Sequence, residues 1–300
     1  MGDTMLIHND LAALQKGLAT LPRPVALVPT MGALHQGHLS LVREAKRRAS
    51  SVVISIFVNP AQFGPNEDLA AYPRRLAEDV QLLESEGVDL LWAPPAEAIY
   101  PPGFSTTISV AGVSEGLCGA VRPDHFAGVA TIVLKLFNQL RPDIALFGEK
   151  DWQQLVVIRR MARDLDLTHP AAEAIVGVPT VREADGLALS SRNAYLSPED
   201  RARAAVLPAA MREAAARIAP GAQAAPALAE LERALLAGGF ASVDYAVLAD
   251  AQSLAPLARL GPNPARLFVA ARIGGTRLID NMAVTHSPPT APPAFSPNDD

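Results

Sequence analysis

Two histidines three residues apart, His35 and His38, stand in the stretch Pro29-Thr30-Met31-Gly32-Ala33-Leu34-His35-Gln36-Gly37-His38. The apolar run Val25 to Val28 precedes it and suits a buried parallel strand, while Leu39, Val42, Ala45 and Ala49 follow at helical spacing. A strand therefore ends where a helix begins. Such a junction offers backbone N–H groups and the positive end of a helix dipole to an anion such as phosphate. Gly32 and Gly37 permit close backbone approach, and the two imidazoles can share one face. The same spacing also fits a metal pair or plain polar residues at a helix start, although no cysteine or carboxylate nearby completes a zinc set.

Three further segments carry groups of matching chemistry. The β-branched run Val52 to Val58 reads as a second buried strand, with Asn59 and Gln62 just past its end. In an open parallel sheet that end faces the ligand crevice, so both amides are candidates for a polar substrate; a simple Asn-Pro turn is the competing reading. Strand 143–147 runs into Gly148-Glu149-Lys150-Asp151, which repeats the strand, glycine, helix-start arrangement and adds a cation. Gln153 and Gln154 lie in the first turn that follows, Gln154 about one turn past Lys150; taken alone, a Glu-Lys-Asp run is an ordinary solvated surface. Finally, Leu187-Ala188-Leu189-Ser190-Ser191-Arg192-Asn193 places two hydroxyls beside a guanidinium, a set able to grip triphosphate oxygens. Ser197 and Pro198 read as structural punctuation, a cap and first residue of a helix.

The elements that must position these groups alternate. Helices are expected at 11–18, 39–49, 75–86 and 125–140, and strands at 25–28, 52–58, 88–92, 106–110, 143–147 and 175–181, a doubly wound α/β pattern. The polar segment Gly64 to Pro73, containing Asn66, Glu67, Asp68 and Tyr72, is a candidate lid. After Arg182-Glu183-Ala184-Asp185-Gly186, read as a turn, come an Ala-rich helix to about 218, a helix at 225–237 and strands at 243–248, 266–272 and 276–281, the last two joined by Gly274-Gly275. The expectation is a Rossmann-like parallel-sheet domain over 1–180, a smaller α+β domain over 181–286, and a Pro-rich disordered tail over 287–300.

Composition narrows the class. The 300 residues are 49% hydrophobic and 19% charged, with a formal charge of −5, which argues against a nucleic-acid-coating protein. No stretch has the length of a membrane span. Cys118 is the single cysteine, so no intrachain disulfide can form, and with no leader-like N-terminus a cytoplasmic location is expected.

The histidine motif resembles the HxGH signature of the nucleotidyltransferase superfamily that includes class I aminoacyl-tRNA synthetases. Together with Phe57 to Phe63, Gly148 to Gln154 and Val178 to Asn193, in that order, it makes the chain resemble the pantoate-β-alanine ligase family up to about residue 284. The resemblance implies a homodimer whose N-terminal domain binds ATP and pantoate while the C-terminal domain closes over them. ATP and pantoate would give pantoyl adenylate and pyrophosphate, and β-alanine would then displace AMP. By position, Met31, Gly32, Ala33, Leu34, His35, Gln36, Gly37 and His38 would line the ATP site, His38 as catalytic proton donor and His35 holding phosphate. Gly148, Glu149, Lys150 and Asp151 would contact adenosine and phosphate, Lys150 stabilising charge on the α-phosphate, with Val181 and Leu189 at the adenine. Ser190, Ser191 and Arg192 would hold the outer phosphates with Mg²⁺, with no protein metal cage expected; Gln62 and Gln154 would bind pantoate, Gln62 also lying near β-alanine. Position 189 is Leu where some relatives carry Met, and position 152 is Trp where Tyr is usual. Two other classes share the motif: an adenylyltransferase for a phosphorylated acceptor, which would want a basic cradle in place of paired glutamines, and a non-catalytic ATP-binding regulator.

Overall fold

The computed structural model describes residues 4–65, 69–218 and 221–285. The tail expected over 287–300 and the lid residues Asn66, Glu67 and Asp68 lie outside the described residues.

The N-terminal part runs β1 (Leu6–His8), α1 (Leu11–Leu18), β2 (Val25–Thr30), α2 (Gln36–Arg48), β3 (Ser51–Ile56), α3 (Leu76–Ser85) and β4 (Leu90–Trp92). It continues through α4 (Ala96–Ile99), α5 (Cys118–Val121), α6 (His125–Leu140), β5 (Ile144–Gly148), α7 (Trp152–Asp164) and β6 (Ile175–Val178). Among the described residues these six strands form one all-parallel sheet in the order β1-β4-β3-β2-β5-β6. Alternation sorts the β2 side chains: Val25 and Leu27 pack with α1, α6 and α7, whereas Ala26 and Val28 pack with Leu41, Val42 and Ala45 of α2 and Leu83 of α3. Both faces are covered, which is why the strands read as unbroken apolar runs. The order reverses between β2 and β5, so a crevice opens beyond their carboxyl ends.

The C-terminal part comprises α8 (Pro198–Ala204), α9 (Val206–Arg217), α10 (Ala225–Ala237) and the antiparallel strands β7 (Ser242–Asp250), β8 (Ala265–Ile273) and β9 (Thr276–Val284). Leu207, Met211, Leu231 and Leu235 pack on Leu248, Leu267, Val269 and Ala271 to make its core. Gly274 and Gly275 both have positive φ, +54° and +76°, as a two-residue hairpin turn requires. Tyr245, Phe268 and Ile279 pack instead into the core beneath the parallel sheet, so the second sheet is seated against the first part.

Two expectations fail locally. Residues 106–110 form no strand: the Ile108 N–H donates to Thr131 Oγ1 of α6 (2.9 Å), and Val110 is buried, so packing on a helix produced the alternation. The Ala-rich helix is two, broken at Ala205; Pro208 sits in the first turn of α9, where its missing N–H is tolerated.

One close approach sets the floor of the crevice. A Cβ on Gly128 of α6 would stand 2.1 Å from the Ala61 carbonyl oxygen, in the single turn Pro60–Gln62 that follows β3. Gly128→Ala should therefore force backbone apart, lowering unfolding free energy by about 1–3 kcal/mol and displacing Gln62. Denaturant unfolding, with turnover of the folded fraction, checks both.

Candidate active site

The first wall is the turn from β2 to α2. Thr30 Oγ1 donates to the Ser55 carbonyl (2.9 Å) and accepts from the Gly32 N–H (3.2 Å). The buried carboxylate of Asp79, from α3, accepts from the Ala33 and Leu34 N–H groups (2.9 and 2.8 Å). Gly32 has φ +80°, and a Cβ there would lie 3.0 Å from Asp79 Oδ2. The backbone N–H groups of Gly32, Ala33 and Leu34, donors expected to be open to phosphate, are thus taken by protein. Of the stretch expected to line the ATP site, Met31, His35, Gly37 and His38 line the cleft; Gly32, Ala33, Leu34 and Gln36 do not.

The histidines complete this rearrangement. His35 is the N-cap of α2, its Nδ1 accepting from the Gly37 N–H (3.1 Å), while His38 Nδ1 accepts from the His35 N–H (3.3 Å). A backbone N–H only donates, so each Nδ1 is unprotonated and each neutral ring carries its proton on Nε2. The rings pack together, tilted, with centroids 4.1 Å apart. Enclosure in protein, with His35 and then Lys150 adding to it, pushes His38 down to about 3; His35 is lowered by the same enclosure and by Lys150. The pair is two neutral N–H donors.

The second wall follows β3. Asn59 Oδ1 accepts from the Ala61 N–H (3.3 Å) and the Tyr100 hydroxyl (2.7 Å), and its Nδ2 donates to the Gly128 carbonyl and to Gln62 Oε1, both 3.1 Å. Asn59 is buried and committed to protein partners, so it positions Gln62. The Gln62 carbonyl in turn accepts from His125 Nδ1 (2.8 Å) and Arg122 Nη2 (3.3 Å), with Arg122 Nη1 3.0 Å from His125 Nε2. Arg122, His125 and Asp79 were missed in sequence; their only signal was polarity at the borders of apolar helices.

The third wall joins both parts of the chain. Gly148, Lys150, Asp151, Gln154, Val181, Leu189, Ser190, Ser191 and Arg192 line the same cleft. Glu149 does not: its carboxylate lies 3.5 Å from Arg266. Gln153, buried, donates to the Val113 and Gly116 carbonyls (3.0 and 2.8 Å) and accepts from the Cys118 N–H (3.0 Å), a structural role. Asn281 of β9 donates to the carbonyls of Glu149 and Lys150, 2.9 Å each, and accepts from Arg266 Nε (2.7 Å). Arg266 lies over the Trp152 ring at 3.7 Å, and Trp152 Nε1 donates to the Ala251 carbonyl (2.8 Å), so the residue that departs from Tyr ties α7 to the second sheet. Arg182 forks onto buried Asp280 (2.6 and 2.9 Å), anchoring the loop that leads to Ser190 and Arg192. Ser190 Oγ also caps the turn after it, accepting from the Arg192 N–H (3.3 Å).

The cleft encloses about 240 Å³ between these walls. A parallel α/β sheet carrying paired neutral imidazoles, a lysine, an arginine and two glutamines beyond its strand ends defines a nucleotide-dependent enzyme of the HxGH type. The family profile described as Pantoate-beta-alanine ligase matches residues 6–283, and the chain belongs to that family. The pantothenate synthetase of Novosphingobium aromaticivorans is 66% identical over 92% of this chain and 96% of its own length. A crystal structure of pantothenate synthetase from Thermus thermophilus is 49% identical, with TM-score 0.86 over 93% of this chain and 99% of that one. The Francisella tularensis pantoate-β-alanine ligase, crystallised in complex with β-γ ATP and β-alanine, is 34% identical with TM-score 0.79, covering 93% of this chain and 97% of that one. Family membership selects the ligase from the three classes left open by the motif.

The histidine geometry has a pH signature. The folded chain holds His38 neutral until about 3, whereas the unfolded chain takes up a proton near the ordinary histidine value of 6.5. This site therefore favours unfolding as pH falls below about 6.5, by about 1.4 kcal/mol per pH unit. Ring-nitrogen NMR should find Nε2–H on His38 with no titration between about pH 8 and pH 5; a ring titrating near its ordinary value would contradict the assignment.

Proposed function

We propose that this cleft joins pantoate to β-alanine in two steps, with ATP cleaved to AMP and pyrophosphate. The observation that carries the reading is the convergence of Gln62 and Gln154 with His35, His38 and Lys150 on one cleft. Gln62 and Gln154 hold pantoate, and its carboxylate oxygen bonds to the α-phosphorus as the bond to the β-phosphate oxygen breaks and pyrophosphate leaves with that electron pair. The amine of β-alanine then bonds to the acyl carbon, the acyl-oxygen bond breaks, and AMP departs as the amine loses its proton. The carboxylate is already ionised at neutral pH, so the first step needs orientation and charge neutralisation more than a base.

In this reading His38 and His35 act as neutral hydrogen-bond donors to phosphate oxygens, a refinement of the proton-donor role that the resemblance implies. Lys150 answers the charge on the α-phosphate, Ser190, Ser191 and Arg192 hold the outer phosphates, and Val181 and Leu189 flank the adenine. Mg²⁺ would be held between the substrate phosphates and this chain; among the described residues no three His, Cys, Asp or Glu side chains cluster as a metal site. Asp151, a cleft carboxylate, is the residue suited to it, since Mg²⁺ typically takes one or two carboxylates plus substrate phosphates. When bound, the ion would neutralise phosphate charge. We assign residues up to 180 to holding ATP and pantoate and 181–286 to closing over them, in a homodimer located in the cytoplasm.

With Mg²⁺, ATP and labelled pyrophosphate, label should enter ATP when pantoate is added and β-alanine withheld, and should not when pantoate is omitted. Exchange that ignores pantoate would defeat the two-step reading. Gln154→Ala should weaken pantoate-dependent exchange by about tenfold or more while leaving ATP binding nearly unchanged, because it leaves substrate polar groups unpaired. Equal loss of both would move Gln154 to the nucleotide.

A further inference from the structure

Beyond the cleft lies a second chamber of about 280 Å³ between the loop carrying Ser190 and Arg192 and the β8–β9 hairpin. It shares Arg122, Lys150, Asp151, Ser190 and Arg192 with the cleft, so the two spaces adjoin there. Its walls carry five cationic side chains, Arg122, Lys150, Arg192, Arg272 and Arg277. Two acidic residues line it, and one of them, Asp280, is committed to Arg182. Arg272 and Arg277 share the carboxylate of Asp244, at 3.6 and 2.7 Å, which is one negative charge for two positive ones. The chamber therefore carries excess positive charge in a concave, low-dielectric setting, which attracts a small polyanion and gives no advantage to a zwitterion such as β-alanine.

Taking the two-step reaction above as given, we propose that this chamber receives the pyrophosphate released in the first step, with Arg272 as a contact made by the freed product and not by ATP. Moving the leaving group into the chamber separates it from the acyl phosphate while the amine reacts, and so disfavours the reverse attack. Arg272 suits a test because its side chain is 46% exposed on β8 and Asp244 keeps Arg277 when it is removed.

The experiment measures pyrophosphate product inhibition, pantoate-dependent exchange, and calorimetric binding of pyrophosphate to the substrate-free protein, for wild type, Arg272→Gln and Arg272→Lys. Arg272→Gln should weaken pyrophosphate binding and inhibition by about tenfold, the scale of one lost charge-assisted contact, with KM for ATP changed by less than about twofold. Arg272→Lys should recover part of that loss. Unchanged pyrophosphate constants in a folded Arg272→Gln protein would overturn the chamber while leaving the two-step reading in place. A raised KM for β-alanine with pyrophosphate constants unaltered would overturn it too, making the chamber the amine's route. Absence of pantoate-dependent exchange in wild type would instead remove the reading on which the proposal stands.

Discussion

The active-site geometry depends first on a buried carboxylate. Asp79 reaches from α3 to take the N–H groups of Ala33 and Leu34, which holds the chain through the left-handed conformations of Gly32 and Ala33 and delivers it to α2. Hydrogen bonds to a charged acceptor stabilise by roughly 1.5–3 kcal/mol each, enough to offset backbone strain at a non-glycine residue in the left-handed region. Burial pulls the other way and raises the Asp79 carboxyl, while the Leu34 and Ala33 amide contacts oppose that shift. With the turn fixed, His35 falls at the N-cap and His38 one turn on, and the imidazoles satisfy backbone donors that a phosphate would otherwise have met.

The consequence is a cleft wall whose donors are side chains. The two Nε2–H groups are neutral, fixed in tautomer by their Nδ1 contacts, and close to the cationic Lys150. Neutral donors beside one ammonium avoid the repulsion that two imidazolium rings would add next to Lys150. Such preorganised donors stabilise developing charge without reorganising during the reaction.

A second constraint joins the two sheets. Asn281 grips the carbonyls on either side of the peptide leading from Glu149 to Lys150, and Arg266 links Asn281, Glu149 and Trp152. Lys150 is thus placed by a strand more than a hundred residues later in the chain. The arginine fork on Asp280 treats the Ser190 loop in the same manner.

The sequence by itself determined the two parts of the fold. Continuous apolar runs marked strands buried on both faces, the helix at His125–Leu140 and that near Ala225–Ala237 were legible, and the paired glycines gave the last hairpin. It also marked His35, His38, Lys150, Gln62, Gln154 and Arg192, because reactive side chains at strand ends stand out against apolar neighbours. Tertiary structure decided what each does. Asn59 and Gln153 have the same amide chemistry as Gln62 and Gln154, yet burial commits the first pair to protein carbonyls and amides and leaves the second pair on the cleft. Glu149 turns from the site because Arg266 is there to meet it, and the amides of Ala33 and Leu34 are spoken for because Asp79 arrives from another helix. Local spacing fixes the face on which a polar group emerges, but its role follows from which distant partner satisfies it, and those partners meet only when the chain is folded.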